Sequence, residues 1–148
     1  MDYNKLNTKN YYFVMIFLPI KPKYALAIKE LKKQVEFRKV KFKNESFKSC
    51  LVYASYPLKR IIGYFEFKTI DEGHPSEIWE KYGKVGCIAR EDYNEYYKDS
   101  KLAYAIKIDS FLAFDEPIDP FAKIDNFNIP QSYKYLSEDE LIALLKNV

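Results

Sequence analysis

The chain has 148 residues and a formal net charge of +3, with 48% hydrophobic and 30% charged residues. This length and balance are typical of one globular domain and exclude a disordered chain. Only four glycines are present, and the stretch Gly83-Lys84-Val85-Gly86 lacks the Gly-Lys-Ser/Thr ending of a nucleotide phosphate loop.

The first 20 residues combine a polar segment with an apolar one. Residues 1–12 are interpreted as a loose leader, followed by a single domain over residues 13–148. Residues 13–19 are rich in β-branched and aromatic side chains, which predicts a buried strand. The apolar run of residues 11–20 is shorter than the roughly 20 residues that a membrane-spanning helix needs, so we expect no membrane span.

Cysteine and histidine are too scarce for several kinds of site. Cys50 and Cys87 do not make a disulfide framework, and neither has a second Cys or His at metal-ligand spacing. His74, the single histidine, is interpreted as the residue that precedes a helix. We therefore expect no metal, no cofactor, two buried cysteines and a cytoplasmic protein.

A helix and a strand follow in residues 22–38. Pro22 suits the first turn of a helix, and apolar residues recur at helical spacing after it: Tyr24, Ala27, Ile28 and Leu31. Residues 34–38 then alternate at period two. This alternation predicts a strand with Val35 and Phe37 inward and with Glu36 and Arg38 on the opposite face.

The remaining elements are marked by apolar runs and by helix-end signals. Strands are predicted over residues 50–54, 59–70 and 101–114, with Gly63 marking a bulge or a close approach. Short helices are predicted between Pro75 and Gly83 and over residues 90–97. Pro117 and Pro120 are expected to break the chain before a helix over residues 138–146, which begins with a capping box.

Five strands interrupted by short helices predict an α+β fold. The order of elements favours a small, strongly curved mixed sheet or a partly closed barrel over a parallel doubly wound sheet.

Charge is distributed unevenly along the chain. Residues 1–70 carry 15 lysines and arginines against 5 acidic residues, a net charge of +10, whereas residues 71–148 carry 9 against 16, a net charge of −7. The basic residues are densest over residues 21–48. A basic surface attracts polyanions over a Debye length of about 8–10 Å, unless interleaved elements from the acidic half neutralise it.

Four motifs resemble the ASCH domains of the PUA-like superfamily, and two of them resemble the branch described as predicted transcriptional regulators with a PUA-like domain. The motifs are residues 21–25 leading to 33–38 (KPKYA, KQVEFR), 53–57 running to 62–63 (YASYP, IG), 77–83 (EIWEKYG) and 130–136 (PQSYKYL). The resemblance covers about residues 13–137. One departure lies at residues 30–32, where the family usually has a glycine.

The resemblance implies a PUA-like mixed β-barrel with short helices around it, a C-terminal helix, and a cleft between the first helix and the barrel. RNA binding is the role proposed for this family, and some members hydrolyse RNA or acetylated cytidine. A lysine that matches Lys33 is catalytic in the amidohydrolase members. The threonine of those members is replaced here by Glu36.

The candidate site is therefore centred on Lys33, Glu36 and Arg38. If the protein is an enzyme, Lys33 and Glu36 are the catalytic pair; otherwise the three side chains bind phosphate, or they form a surface ion pair without function. The full set of candidate ligand-binding residues is Lys23, Lys33, Arg38, Tyr53, Ser55, Lys59, Ser132 and Tyr133. Turn formation at residues 55–57 and a packed loop at residues 130–136 are the structural alternatives.

Three functional classes remain open from the sequence. The first is a domain that binds RNA or a nucleotide-like ligand through a basic cleft. The second is an RNA-directed hydrolase, either a ribonuclease or an amidohydrolase, that uses Lys33 and Glu36. The third is an interaction module whose acidic C-terminal half binds a protein partner.

Overall fold

The computed structural model describes residues 14–148, so the predicted leader over residues 1–12 lies outside the described residues. Over this range the chain forms six strands and five helices. The strands are β1 (Ile16–Ile20), β2 (Val35–Arg38), β3 (Ser49–Ala54), β4 (Arg60–Gly73), β5 (Ala103–Ile118) and β6 (Lys134–Tyr135). The helices are α1 (Pro22–Lys29), α2 (Pro75–Tyr82), α3 (Arg90–Tyr97), α4 (Pro120–Lys123) and α5 (Glu138–Leu145).

All six strands belong to one curled sheet in the order β2-β5-β4-β3-β1-β6. β1 and β3 pair in parallel, and every other neighbouring pair is antiparallel. The two longest strands, β4 and β5, shift register three times along their pairing. Such irregularities bend a strand, so the sheet curls into a half-barrel. The predicted α+β class and curved mixed sheet are confirmed.

Gly63 lies at a close approach between β4 and β5, as its sequence context predicted. A Cβ atom at this position would lie 2.2 Å from the Leu112 carbonyl oxygen. The register of both neighbouring ladders shifts beside Gly63. Only a residue without a side chain allows β4 to bend here.

The strands differ from the sequence predictions in two places. Pro117 lies within β5, which continues to Ile118, because it falls in an irregular stretch between the pairs Gly63–Ala113 and Ile61–Ile118. A proline is tolerated there since no regular ladder requires its missing N–H. In addition, residues 130–136, for which a packed loop was the structural alternative, contain the short edge strand β6 beside β1.

The sequence signals at helix ends predicted the helices more accurately than the apolar runs predicted the strands. α3 spans Arg90–Tyr97 as predicted, and the His74 ring precedes α2 and accepts a hydrogen bond from the Ser76 N–H. The capping box of Ser137 and Glu140 is present at α5. Leu31 was wrongly assigned to the apolar face of α1: the helix ends at Lys29, and Leu31 has a φ of 63° and is 69% exposed.

Three apolar clusters hold the fold together. The α1 cluster joins that helix to one face of the sheet through residues such as Ile16, Leu18 and Ile28. The α5 cluster covers the opposite face, where Phe17 and Leu144 lie. The third, which we call the α2–α3 cluster, packs these two helices on β2.

Alternation in β2 positions the candidate site. Val35 and Phe37 belong to the α2–α3 cluster, as predicted. Glu36 lies opposite Ile106 of β5, a member of the α1 cluster. The Glu36 and Arg38 side chains therefore extend toward the α1 side of the sheet, into its interior.

Candidate functional site

Three charged side chains from β2 and the residues just before it meet on the α1 side of the sheet; together we call Lys33, Glu36 and Arg38 the charged cluster. Lys33 Nζ lies 3.6 Å from Glu36 Oε1, and Arg38 Nη1 lies 3.2 Å from Glu36 Oε2. Each carboxylate oxygen of Glu36 thus faces one cation. Lys33 is 3% exposed and Glu36 is 5% exposed, so the cluster is interior and the prediction of a surface ion pair does not apply.

Lys33 is enclosed by backbone and by aromatic rings. Its ammonium group donates a hydrogen bond to the Gly86 carbonyl and lies 5.1 Å from the ring centre of Tyr24 and 5.2 Å from that of Phe37. Burial disfavours the charged amine and lowers the pKa of Lys33 below its ordinary value of 10.5, although the Glu36 carboxylate opposes this shift. The Lys33 ammonium group therefore loses its proton at a lower pH than that of an exposed lysine.

Arg38 connects the two edges of the curled sheet. Its Nη1 also donates to the Pro19 carbonyl of β1 at 3.3 Å, and its Nη2 donates to the Ser132 carbonyl at 2.6 Å. Because β2 and β6 are the edge strands and Ser132 precedes β6, one guanidinium joins one edge strand to the segment that leads into the other. The planar fork of donors in arginine suits such a multiple contact.

Two other predicted residues lie near the charged cluster. The Ser55 hydroxyl donates to the Ile20 carbonyl at 3.3 Å, at the end of β1 and one residue along the chain from the Pro19 carbonyl that Arg38 contacts. Lys23 lies on α1 and approaches Asp92 of α3 at 3.7 Å. Lys23 is exposed and lies one residue before Tyr24, whose ring lies over both the Lys23 and the Lys33 ammonium groups, at 4.9 and 5.1 Å.

Tyr53, Lys59 and Tyr133 have different surroundings. Tyr53 belongs to the α5 cluster, on the face of the sheet opposite the charged cluster. Lys59 lies 5.4 Å from the Phe121 ring centre, on the α4 side. The Tyr133 ring packs at 4.9 Å against Phe42. Of the predicted ligand-binding residues, Tyr53, Lys59 and Tyr133 therefore contact other parts of the protein than the charged cluster.

Sequence reasoning missed Gly86, whose backbone completes the enclosure of Lys33. A Cβ atom on Gly86 would lie 2.2 Å from Phe37 Cε2, so a larger residue would displace either the ring or the carbonyl that Lys33 contacts. The sequence signal was present, since Gly86 is one of only four glycines. The local sequence around Gly86 indicates only that it does not belong to a nucleotide phosphate loop.

The loop that follows Gly86 also corrects a cysteine prediction. Cys50 is buried, as expected, and burial raises the pKa of its thiol well above the ordinary value, so the thiol stays protonated. Cys87 was expected to be buried and is exposed, with a φ of 51°. Cys87 adopts a left-handed backbone conformation in the loop that follows Gly86, and its side chain is exposed.

The charged cluster combines the two elements of acid–base chemistry on a phosphodiester: a carboxylate that can accept a proton and cations that stabilise negative charge. Across residues 14–148, no group of three or more His, Cys, Asp or Glu side chains could hold a metal ion. Within the same residues, no helix is long and apolar enough to cross a membrane.

Sequence comparisons identify relatives over most of the chain. The model of a family described as a domain of unknown function, DUF365, matches residues 13–138. An ASCH domain-containing ribonuclease of Zymomonas mobilis is 30% identical over 138 residues, which cover 86% of this chain and 89% of that protein. The large ribosomal subunit protein uL22 of Ureaplasma parvum is 29% identical over 125 residues, and the match spans 82% of this chain but only 39% of that relative.

Solved structures share the same architecture. The crystal structure of ASCH from Zymomonas mobilis superposes with a TM-score of 0.80 at 27% identity, covering 88% of this chain and 92% of that one. The N-terminal domain of Staphylothermus marinus McrB superposes with a TM-score of 0.61 at 14% identity, again covering 88% of this chain and 92% of that one. This second similarity concerns the fold alone.

Proposed function

Because the chain belongs to the DUF365 family and to the ASCH domain proteins, we propose that it binds single-stranded RNA in the cleft between α1 and the curled sheet. One observation carries this proposal: three charged side chains from β2 and the residues just before it pair with one another in the interior. Charged side chains are costly to bury, and a lysine whose pKa is perturbed by desolvation beside a charge partner is typical of functional sites.

In this proposal, RNA reaches the cluster from the Arg38 side. Arg38 is the most exposed member of the cluster, and it already orients its donors toward Pro19 and Ser132. A phosphate at the opening gains a planar, charged donor, and the exposed Lys23 supplies a second cation. RNA is recognised mostly in unpaired segments, whose phosphates and bases can both reach such an opening.

Binding is measured with a fluorescein-labelled single-stranded RNA by fluorescence anisotropy. We expect wild-type protein to bind and Lys23→Ala to weaken binding, since the Lys23 side chain is exposed and its ammonium group lies 3.7 Å from Asp92 and 4.9 Å from the Tyr24 ring centre. Lys107→Ala is the control, because Lys107 lies opposite Val35 and so faces away from the cleft. Equal affinities for all three proteins would contradict this site, and no binding by wild type would contradict the function.

RNA cleavage is a second candidate function. Two observations favour it: the 30% identical relative is a ribonuclease, and Lys33 with its lowered pKa lies 3.6 Å from the Glu36 carboxylate. In this reaction the RNA 2′-hydroxyl attacks the adjacent phosphorus, Glu36 accepts the hydroxyl proton, and Lys33 donates a proton to the departing 5′-oxygen. The products are a 2′,3′-cyclic phosphate and a free 5′-hydroxyl.

Cleavage is tested with an RNA oligonucleotide and with the DNA of the same sequence, which lacks the 2′-hydroxyl. We expect cyclic phosphate ends from RNA only, and loss of cleavage in Lys33→Met. Lys32→Met is the matched control, since Lys32 is the adjacent, exposed lysine and pairs with Glu30. Intact RNA with wild-type protein would contradict cleavage and leave the binding proposal in place.

A regulatory role in transcription, a protein partner for the acidic half of the chain, an amidohydrolase activity and a cytoplasmic location stay predictions from the sequence.

A further inference from the structure

A cavity lies between the loop of residues 41–48 and β4. This cavity, which we call the loop cavity, has a volume of ≈ 250 Å³ and contains no member of the charged cluster. Cavities that bind whole drug-sized ligands have volumes of about 300–1,000 Å³. The loop cavity is therefore suited to a single ring system rather than to a whole nucleotide.

Three phenylalanine rings line the loop cavity: Phe42, Phe47 and Phe67. All three are buried, and Phe42 and Phe67 lie 5.7 Å apart between ring centres. Phe47 packs at 4.3 Å on Tyr135 of β6. The rings are held by their neighbours before any ligand arrives, so a flat molecule meets a rigid apolar wall.

The polar side chains of the loop cavity can form hydrogen bonds with the edge of a bound ring. Asn44 Oδ1 accepts hydrogen bonds from the N–H and the hydroxyl of Ser46, at 3.0 and 2.6 Å. Among the described residues the Asn44 amide nitrogen has no acceptor, so its two N–H donors are available. Thr69 adds a hydroxyl group, which can donate or accept.

Charge at the rim favours an anionic chain. Lys48 lines the loop cavity 5.7 Å from the Phe67 ring centre. Lys41 also lines it, and lies 4.0 Å from the carboxylate of Glu45, which neutralises the one acidic residue of the lining. The Lys48 ammonium group donates to the Lys68 carbonyl at 3.3 Å and pairs with no carboxylate among the described residues. A base in the cavity therefore keeps its phosphate beside a cation that no acidic side chain neutralises.

We infer that the loop cavity binds one unpaired nucleobase of an RNA strand. Stacking on fixed rings, donors for the base edge and a rim lysine for phosphate are the features by which proteins hold single-stranded nucleic acid. The inference rests on the proposed function for its ligand class and adds a second contact outside the charged cluster.

The loop cavity and the charged cluster are connected through the segment that contains β6. The Asn44 N–H donates to the Tyr135 hydroxyl at 2.8 Å, and Phe42 packs on Tyr133. Ser132, next to Tyr133, accepts the hydrogen bond from Arg38. One RNA strand that passes along this segment contacts both the loop cavity and the charged cluster.

The loop cavity is tested with adenosine and uridine 5′-monophosphate, by NMR titration of the labelled protein, and with labelled RNA by anisotropy. Thr69→Trp fills the cavity, and Asn44→Asp removes the amide donors while keeping the oxygen that holds Ser46. We expect each variant to bind nucleotide and RNA about tenfold more weakly, the effect of one lost base contact. Ser110→Trp on β5 and Asn94→Asp on α3 are the controls, because they introduce the same two residues at exposed positions outside the cavity. They should leave affinity unchanged.

The outcomes separate this inference from the proposed function. Nucleotide shifts centred on Phe42 and Phe47 that weaken in both cavity variants support the inference. RNA binding that is equal in wild type and in both folded cavity variants overturns it and leaves the proposed function intact. If wild type binds no RNA but binds a mononucleotide in the loop cavity, the cavity assignment stands and the proposed function fails.

Discussion

Arg38 and Ser132 are 94 residues apart in the chain, and the Arg38 Nη2 group donates a 2.6 Å hydrogen bond to the Ser132 carbonyl. The contact joins edge strand β2 to the segment that precedes the other edge strand, β6. Arg38 also pairs with Glu36 and contacts the Pro19 carbonyl. The cation that we propose to meet RNA phosphate is therefore also the one that closes the half-barrel.

Replacing Arg38 with alanine should destabilise the protein. The change leaves Glu36 with only Lys33 as a partner and frees two backbone carbonyls, a loss of about 2–4 kcal/mol in the free energy of unfolding. Urea unfolding followed by circular dichroism measures this loss. Lys107→Ala, an exposed change on the opposite face of β2 and β5, should stay within about 0.5 kcal/mol.

Arg38→Lys tests whether the hydrogen bonds of the guanidinium group stabilise the fold in addition to its positive charge. A lysine preserves the positive charge but does not present donors to Glu36, Pro19 and Ser132 at once. We expect a stability between those of wild type and Arg38→Ala. Equal stability of Arg38→Lys and wild type would show that charge alone is sufficient.

Gly86→Ala should also destabilise the protein, by about 1–3 kcal/mol, because the added methyl group overlaps the Phe37 ring. Gly73→Ala is the matched control: its Cβ would lie 3.1 Å from the flexible Glu77 carboxylate and 3.7 Å from Ile78. Thermal unfolding of both variants measures the difference. Equal losses would show that the close approach to Phe37 is not the cause.

The sequence predicted the elements of the site better than their surroundings. Alternation over residues 34–38 correctly assigned Val35 and Phe37 to one face of β2 and Glu36 to the other. Burial of Lys33 was not predictable, because it depends on the Gly86 carbonyl, 53 residues away in the chain. A local pattern indicates which face a side chain occupies but does not indicate which distant segment covers that face.

The same reasoning explains why Tyr53 was grouped with Ser55. The two residues flank the end of a strand that the PUA-like fold would place near the cleft, so both were predicted to bind ligand. Alternation along β3 contained the contrary signal: Val52 and Ala54 belong to the α1 cluster, whereas Leu51 and Tyr53 belong to the α5 cluster. Period-two analysis of β3 would have separated Tyr53 from the charged cluster.

Burial of Lys33 should make stability depend on pH. Since the folded pKa of Lys33 is lowered, the unfolded chain binds more protons between that pKa and the ordinary value of 10.5. Stability contributed by this site therefore rises as pH increases through that window and is constant below it. Urea unfolding of wild type and Lys33→Met at a series of pH values measures the contribution as a difference.

The difference is needed because tyrosines act in the opposite direction. Burial raises the pKa of Tyr82 and of Tyr93 to about 12, so unfolded tyrosines lose their protons first and stability falls above pH 10. Both tyrosines are present in wild type and in Lys33→Met, and their effect cancels. A difference that does not change with pH would contradict a lowered pKa for Lys33.

Glu36→Gln should separate RNA binding from RNA cleavage. Loss of a negative charge preserves or strengthens the attraction for RNA phosphate, whereas a glutamine accepts no proton and should slow cleavage by about a hundredfold or more. Anisotropy and gel-resolved cleavage on the same sample measure both, with an unfolding curve to establish that the sample is folded. Glu30→Gln, at an exposed position that pairs with Lys32, is the control. Unchanged cleavage in Glu36→Gln would exclude Glu36 as the base.

RNA affinity should fall steeply as salt concentration rises. Bound lysines displace counterions from RNA, and the logarithm of the association constant changes with the logarithm of salt concentration by about −0.7 for each phosphate contact of a single strand. With about three to five contacts from the basic stretch of residues 21–48, the slope should lie near −2 to −3.5. Lys23→Ala should reduce the steepness by about one contact, because Lys23 is exposed beside the proposed RNA site, while Lys107→Ala should leave the slope unchanged. Anisotropy titrations between low and physiological salt measure these slopes. A response that is flat in wild type would exclude a polyanion contact by the basic half of the chain.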